Sequence, residues 1–251
     1  AAIATSIGEL IGGLVPILYF SRPNTSRLKL VRTKLEWRPI WRSCSNGSSE
    51  MMTNLSMSLV NTLYNLQLMR FAGEDGVAAY GVIMYVNFIF VAIYMGYSIG
   101  SAPIVGYHYG AKHQEELRGL LRRSLWILGI GAVLLTVAGE LFSSPLSKIF
   151  VSYDDALFAM TRHGFRLYSL SYLLCGFNIF GSAFFTALNN GMVSAVISFS
   201  RTLVFQIVCV LVLPIFLELN GIWISILVAE FLGILVTASL LIANRKKYSY
   251  F

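Results

Sequence analysis

Residues 221–243 read GIWISILVAEFLGILVTASLLIA, twenty-three positions with one charged side chain, Glu230. A helix needs about 20 mostly apolar residues to cross the hydrocarbon of a bilayer. The apolar positions fall on every face of such a helix, as in a span surrounded by lipid or protein. Working outward, six more segments have this character: Ala1–Phe20, Ser49–Phe71, Val77–Tyr107, Leu120–Phe142, Phe165–Leu188 and Val193–Leu217. Strands of a membrane barrel would be half as long and would alternate polar and apolar residues. The expectation is an all-α integral membrane protein of about seven transmembrane helices.

Composition agrees. Of the 251 residues 56% are hydrophobic and 12% charged, against about 25% charged in soluble domains. The net charge of +7 lies in short runs between the spans. That places the basic residues in loops facing anionic headgroups and gives no reason to expect nucleic acid. Fourteen of the nineteen Lys and Arg residues fall after the first and third spans and at the C-terminus. Four fall on the opposite side, and Arg201 lies within the sixth span. By the positive-inside rule the C-terminus is expected in the cytoplasm. The sequons at Asn24, Asn46 and Asn54 then face the cytoplasm or lie in a span, so glycosylation is not expected. Cys44, Cys175 and Cys209 form no CxxC and suggest neither a disulfide framework nor a zinc site.

Residues 21–48 form a basic linker with Pro23 and Pro39. Leu28, Val31 and Leu35 recur at helical spacing, followed by Trp37 and Trp41. They read either as a short amphipathic helix on the membrane surface or as a solvated connector. The chain starts in mid-span at Ala1, so a piece of a longer protein is expected.

Enzyme motifs give no foothold. GYSIG at residues 96–100 matches a nucleophile pattern, but that pattern needs a strand-to-helix turn and this one sits inside an apolar helix. No HExxH, nucleotide-binding or phosphate loop is present. No catalysis and no cofactor are expected.

Polarity within the spans is more telling. Glu50, Asn54, Ser58, Asn61 and Asn65 step by three or four residues and so share one helix face. Such a face either lines a watery ion path or bonds to neighbouring helices; it does not suit lipid. The fifth span carries Tyr168, Ser171, Tyr172, Cys175, Asn178 and Ser182, and the sixth carries Ser194, Ser198, Arg201 and Thr202. Three charges lie deep, Glu9, Arg201 and Glu230, and are expected to be structural, paired with one another or with backbone. Glu140 and Glu218 lie near span ends, where they can reach water. Most of the aromatic residues, among them Tyr85, Tyr94, Tyr97, Phe177, Phe180, Phe184 and Phe185, are expected to pack or to sit in interfacial belts rather than to bind cations.

Four stretches, in order, resemble MATE transporters, the multidrug and toxic compound extrusion family: GSSEMMTNLSMSLVNTLYNLQLMRFAGEDGVAAYG (47–81), IGSAPIVGYHYGAKHQEELRGLLRRS (99–124), FRLYSLSYLLCGFNIFGSAFFTAL (165–188) and LNGIWISILVAEFLG (219–233). The resemblance implies a fold of twelve helices in two six-helix lobes. Residues 1–20 would be the last helix of the N-terminal lobe and 21–48 the inter-lobe loop. Residues 49–243 would be the complete C-terminal lobe and 244–251 a cytoplasmic tail. It further implies a plasma-membrane antiporter that exports organic cations by alternating access, coupled to sodium or proton entry. Its partners would be membrane lipid, the cationic substrates and the rest of the N-terminal lobe. Glu50, Asn54, Asn61 and Asn178 would line the path, with Glu50 and Asn54 the candidate sodium ligands. The resemblance also marks departures: Asn54 and Asn178 stand where relatives carry acids, so the coupling acid is either Glu50 or lies in the other lobe. The alternative readings are a lipid-linked glycan flippase of the same superfamily and a paralogue that does not transport.

Overall fold

The computed structural model describes residues 2–22, 35–248 and 250, with side chains at all of these except 2, 4, 5, 46, 48–50, 52 and 53. The chain divides into two compact units, residues 1–41 and 42–251. The first contains helix α1, Ala2–Ser21, with Pro16 inside it. Its apolar residues Ile3, Ile7, Leu10 and Ile11 are exposed, as is Glu9. Most of the expected amphipathic segment, Leu28 and Val31 included, falls outside the described residues. Trp37 and Trp41 lie in a helix and are exposed.

The second unit is a helical bundle. Helix α2 runs Trp37–Gly110 and would span about 110 Å if straight. It breaks at Gly73, whose φ of 64° and ψ of −151° belong to a region open essentially to glycine. Beyond the break the chain folds back. Tyr80 Oη donates to Asn61 Oδ1 at 2.8 Å, and the Tyr64 and Tyr80 rings stack with centroids 5.2 Å apart. Nineteen residues of straight helix would hold Asn61 and Tyr80 roughly 28 Å apart. The acidic pair Glu74–Asp75 is exposed beside the turn.

Helix α3, Gln114–Val151, extends the expected fourth span, 120–142, at both ends. Glu115 and Glu116 in its first turn and Lys148 in its last are polar but suit the helix dipole, so the helix outruns its apolar stretch. Its buried seam of Leu117, Leu121, Ser124, Leu128, Ala132, Thr136, Gly139, Ser143 and Ser147 combines Leu with small residues, which let neighbouring helices approach.

The expected fifth span, 165–188, is two helices, α4 Asp155–Ser169 and α5 Tyr172–Ala187, bent by 49°. Asp154 caps α4, its carboxylate accepting from the amides of Ala156 and Leu157 at 2.9 and 3.0 Å. This cap explains a helix start ten residues before the apolar run. The sixth span is α6, Gly191–Phe199, followed by a π-helical turn, Ser200–Phe205, and then α7, Gln206–Tyr248. Helix α7 breaks at Glu218, with φ 49° and ψ −132°. The legs then close tightly: a Cβ on Gly221 would lie 2.5 Å from the Leu213 carbonyl oxygen.

The two breaks and the bent pair give the second unit six apolar legs, in the order the sequence predicts. Their outward faces are hydrophobic: Phe88, Ile89, Trp126, Leu134 and Phe216 are all exposed. Serines 124, 143, 169, 194 and 225, together with Asn178 and Glu230, are buried. Apolar outside and polar within is the arrangement lipid favours. Between these polar groups Tyr94, Tyr172, Phe180, Phe184, Phe185 and Trp223 fill the interior, with Tyr97 and Phe177 packed against them; most of the named aromatic residues pack, while Tyr85 is exposed.

Candidate functional site: a buried charge network at the π turn

Helices α5 and α6 are joined by hydroxyls. Ser182 Oγ lies 2.8 Å from both Ser194 Oγ and Ser198 Oγ, and Thr186 Oγ1 lies 2.7 Å from Ser194 Oγ. These contacts fix the face that α6 turns to α5. Immediately beyond, the backbone enters the π turn, which carries Arg201. Single π turns commonly mark functional positions because the extra residue displaces a side chain from the helical register.

Arg201 Nε donates to both carboxylate oxygens of Glu230, at 2.8 and 2.9 Å. Glu230 is on the second leg of α7 and is 1% exposed; the Arg201 side chain is 14% exposed. Asn178 of α5, fully buried, completes the site. Its Nδ2 donates to Glu230 Oε2 at 2.7 Å and to the Glu230 carbonyl at 3.0 Å. Its Oδ1 accepts from Thr237 Oγ1 at 2.8 Å. Glu230, Gly233 and Thr237 follow one another at i, i+3 and i+7, so one face of the leg carries all three. Gly233 is required by closeness: a Cβ there would lie 2.9 Å from Asn178 Nδ2 and 3.3 Å from Arg201 Cγ. The charges cancel, and each polar atom of the Asn178 amide has a partner, as a low-dielectric site demands.

A second polar cluster lies along the first leg of α2. Asn61 accepts from Tyr80 and its carbonyl accepts from Asn65 Nδ2 at 3.0 Å. Tyr64 Oη lies 2.6 Å from Ser225 Oγ, and Gln67 Nε2 donates to the Val210 carbonyl at 3.2 Å. Ser225 and Glu230 are five residues apart on the same leg, so one element borders both clusters.

The four expected path residues are therefore distributed. Asn178 is in the charge network and Asn61 in the tyrosine cluster. Asn54 is exposed, and the side chain of Glu50 lies outside those described. Of the three deep charges, Arg201 and Glu230 pair with each other. Glu140 is half-buried, accepts from Ser169 Oγ at 2.8 Å, and has Arg166 Nε at 3.8 Å. Among the described residues no group of three His, Cys, Asp or Glu is placed to hold a metal ion. Sequence reasoning missed Thr237, Gly233, Tyr64, Tyr80 and Ser225. The i, i+3, i+7 spacing from Glu230 is the signal that could have found the first two.

Comparison with known proteins agrees with this architecture. The chain is 25% identical over 134 residues to the "Probable multidrug resistance protein YoeA" of Bacillus subtilis (strain 168), an alignment covering 53% of this chain and 29% of that protein. The crystal structure of a MATE in complex with MaL6 superposes with a TM-score of 0.86 at 20% identity, covering 98% of this chain and 57% of that one. An outward-facing conformation of a multidrug resistance MATE family transporter gives 0.84, at 20% identity over 98% of this chain and 56% of that one. An inward-facing conformation gives 0.77, at 19% identity over 98% and 58%. The chain spans little more than half the length of these solved chains. The sequence profile of the MatE family matches residues 51–212, so the chain, a multi-pass helical membrane protein, belongs to that family.

Proposed function

We propose that the second unit is the C-terminal lobe of a secondary antiporter that exports organic cations in exchange for sodium or protons, without enzymatic chemistry. Residues 1–20 are then the last helix of the N-terminal lobe. The observation that carries this reading is the neutral Arg201–Glu230–Asn178–Thr237 network inside a MatE fold. It ties α5, the π turn and α7 together across a buried site. A lobe braced in this way can rock as one body, which alternating access requires. The names of the similar proteins, a multidrug resistance protein and multidrug resistance transporters, support drug efflux as the task.

Because Glu230 is neutralised by Arg201, the exchangeable cation belongs elsewhere. Glu50 with Asn54 is the candidate in this lobe, and an acid of the partner lobe is the other. On this reading the protein sits in the plasma membrane with its C-terminus in the cytoplasm, an orientation that the basic loops and tail support. A lipid-linked glycan flippase is the second reading, favoured by the deep Arg201, since cations suit pyrophosphate. It is the weaker one because the Arg201 charge is already taken up by Glu230.

The test is efflux of a fluorescent organic cation from proteoliposomes holding the full-length protein, with sodium and proton gradients imposed separately. Gradient-driven efflux supports the proposal and names the coupling ion. A folded protein inert under both gradients would sink it and turn attention to lipid-linked substrates.

A further inference from the structure

At one end of the second unit, where α2, α3 and α7 meet, His108, Lys112, His113, Gln114, Lys247 and Tyr248 line a pocket of about 90 Å³. That is room for roughly three water molecules at liquid density, or for one tetrahedral anion. Among the described residues no acidic side chain lines it; Glu115 and Glu116 are exposed on the adjoining turn. Two lysines and two imidazoles supply the basic part of the lining.

Three further observations point to an anion. Helix α3 begins at the pocket, and its N-cap residue His113 makes no side-chain capping bond. The positive end of a 38-residue helix therefore lacks the side-chain acceptor that usually covers it. His108 Nδ1 is buried without a hydrogen-bond partner among the described residues, and its ring lies 5.8 Å from that of His113. The C-terminal segment is fixed against the bundle rather than trailing. Tyr248 and Tyr250 are buried, the Tyr248 ring packs on Tyr109 at 5.6 Å, and Tyr250 Oη donates to the Leu241 carbonyl at 2.9 Å. Lys247 is thereby held at the pocket, its Nζ 5.2 Å from the Tyr248 ring centroid.

We infer that this pocket binds a phosphate group, from an anionic lipid headgroup or a soluble phosphate, and that occupancy clamps the α2–α3 turn to the end of α7. Basic pockets between spans at the cytoplasmic surface suit lipid phosphates. The proposed orientation decides only which leaflet would supply the lipid; the phosphate chemistry does not depend on it. An occupant would satisfy His108 Nδ1, the helix end and both lysines together.

The experiment uses the full-length protein in mild detergent. Binding of dioleoylphosphatidylglycerol and of dioleoylphosphatidylcholine is compared by native mass spectrometry, and inorganic phosphate is titrated separately. The variant is Lys112→Asn with Lys247→Gln. Lys112 has φ 58°, and after glycine Asn is the neutral residue that best tolerates that conformation, so folding is preserved. Lys148→Gln, at the far end of α3, is the control. Preferential binding of the anionic lipid, weakened about 30-fold in the double variant and unchanged in the control, supports the proposal with lipid as the source. Inorganic phosphate binding with the same sensitivity, and no preference between the lipids, supports it with a soluble source. Affinities for both probes that match between the double variant and wild type would overturn it, as would the absence of binding by either. Should the double variant unfold, Lys247→Gln alone is read by the same criteria, with about a fivefold loss expected.

Discussion

The Arg201 guanidinium and the Glu230 carboxylate meet through two contacts of 2.8 and 2.9 Å, with Glu230 1% exposed. Twenty-nine residues separate them, so the pair joins the π turn to a leg of the bundle that lies beyond a chain reversal. A buried ion pair is costly to break from one side, because the remaining charge is stranded in a low dielectric. Arg201→Met and Glu230→Leu should each destabilise the bundle by about 3–5 kcal/mol. Arg201→Met combined with Glu230→Leu should recover most of that loss. Denaturant unfolding in detergent checks this; a double variant as unstable as the sum of the singles would show that the two residues act independently.

Asn178→Leu removes the amide that donates twice to Glu230 and accepts from Thr237. The lost bonds and the orphaned Thr237 hydroxyl should cost about 2–3 kcal/mol. Thr237→Val in the same background should add little, since the hydroxyl then has no partner left to lose. The double-mutant cycle on thermal melting reads the coupling directly.

Gly73 holds the reversal between the two legs of α2 with φ 64°. Gly73→Ala should destabilise by about 1–3 kcal/mol through backbone strain, although nothing lies within 4 Å of the added Cβ. Gly81→Ala, also with open space around its Cβ but within regular helix, should be neutral or stabilising by up to about 1 kcal/mol. Equal shifts in melting temperature for the two variants would mean that crowding or propensity, not φ, governs Gly73.

In transport, Glu50→Gln should depress ion-coupled efflux by the full-length protein more than Glu140→Gln. By helical spacing in the sequence Glu50 falls in line with Asn54, whereas Glu140 is partly exposed and has Arg166 nearby. Near-wild-type rates for both variants would remove Glu50 from the mechanism.

The apolar runs made the crossings legible, and the gap between the runs 49–71 and 77–107 marked the reversal between the second and third. The bend between α4 and α5 was not legible, because Leu170 and Ser171 carry neither proline nor glycine and the Asp154 cap lies outside the apolar window. The polar residues announced that the interior was polar but not who would meet whom. Asn61 finds Tyr80 only because the chain turns at Gly73, and Arg201 finds Glu230 only because it turns at Glu218. Helical spacing relates residues within one leg, whereas these contacts are set by the register between legs. The π turn left no trace in the composition of SRTLVF, since it reflects the demands of neighbours on both sides.

Those demands can be stated as a phase problem. Ser194 and Ser198 are committed to α5, and the Val210 carbonyl, a few turns later, is committed to Gln67 of α2. A regular helix advances about 100° per residue, so both commitments hold only if the intervening count of residues is right. The extra residue in Ser200–Phe205 sets that count. Wound as regular α-helix, the same residues would carry everything downstream round by about a further 100°, with the Val210 carbonyl turned from Gln67 while the serines stayed in place. The irregular turn is thus a phase shifter, allowing one span to serve two neighbours that no uninterrupted helix could serve together.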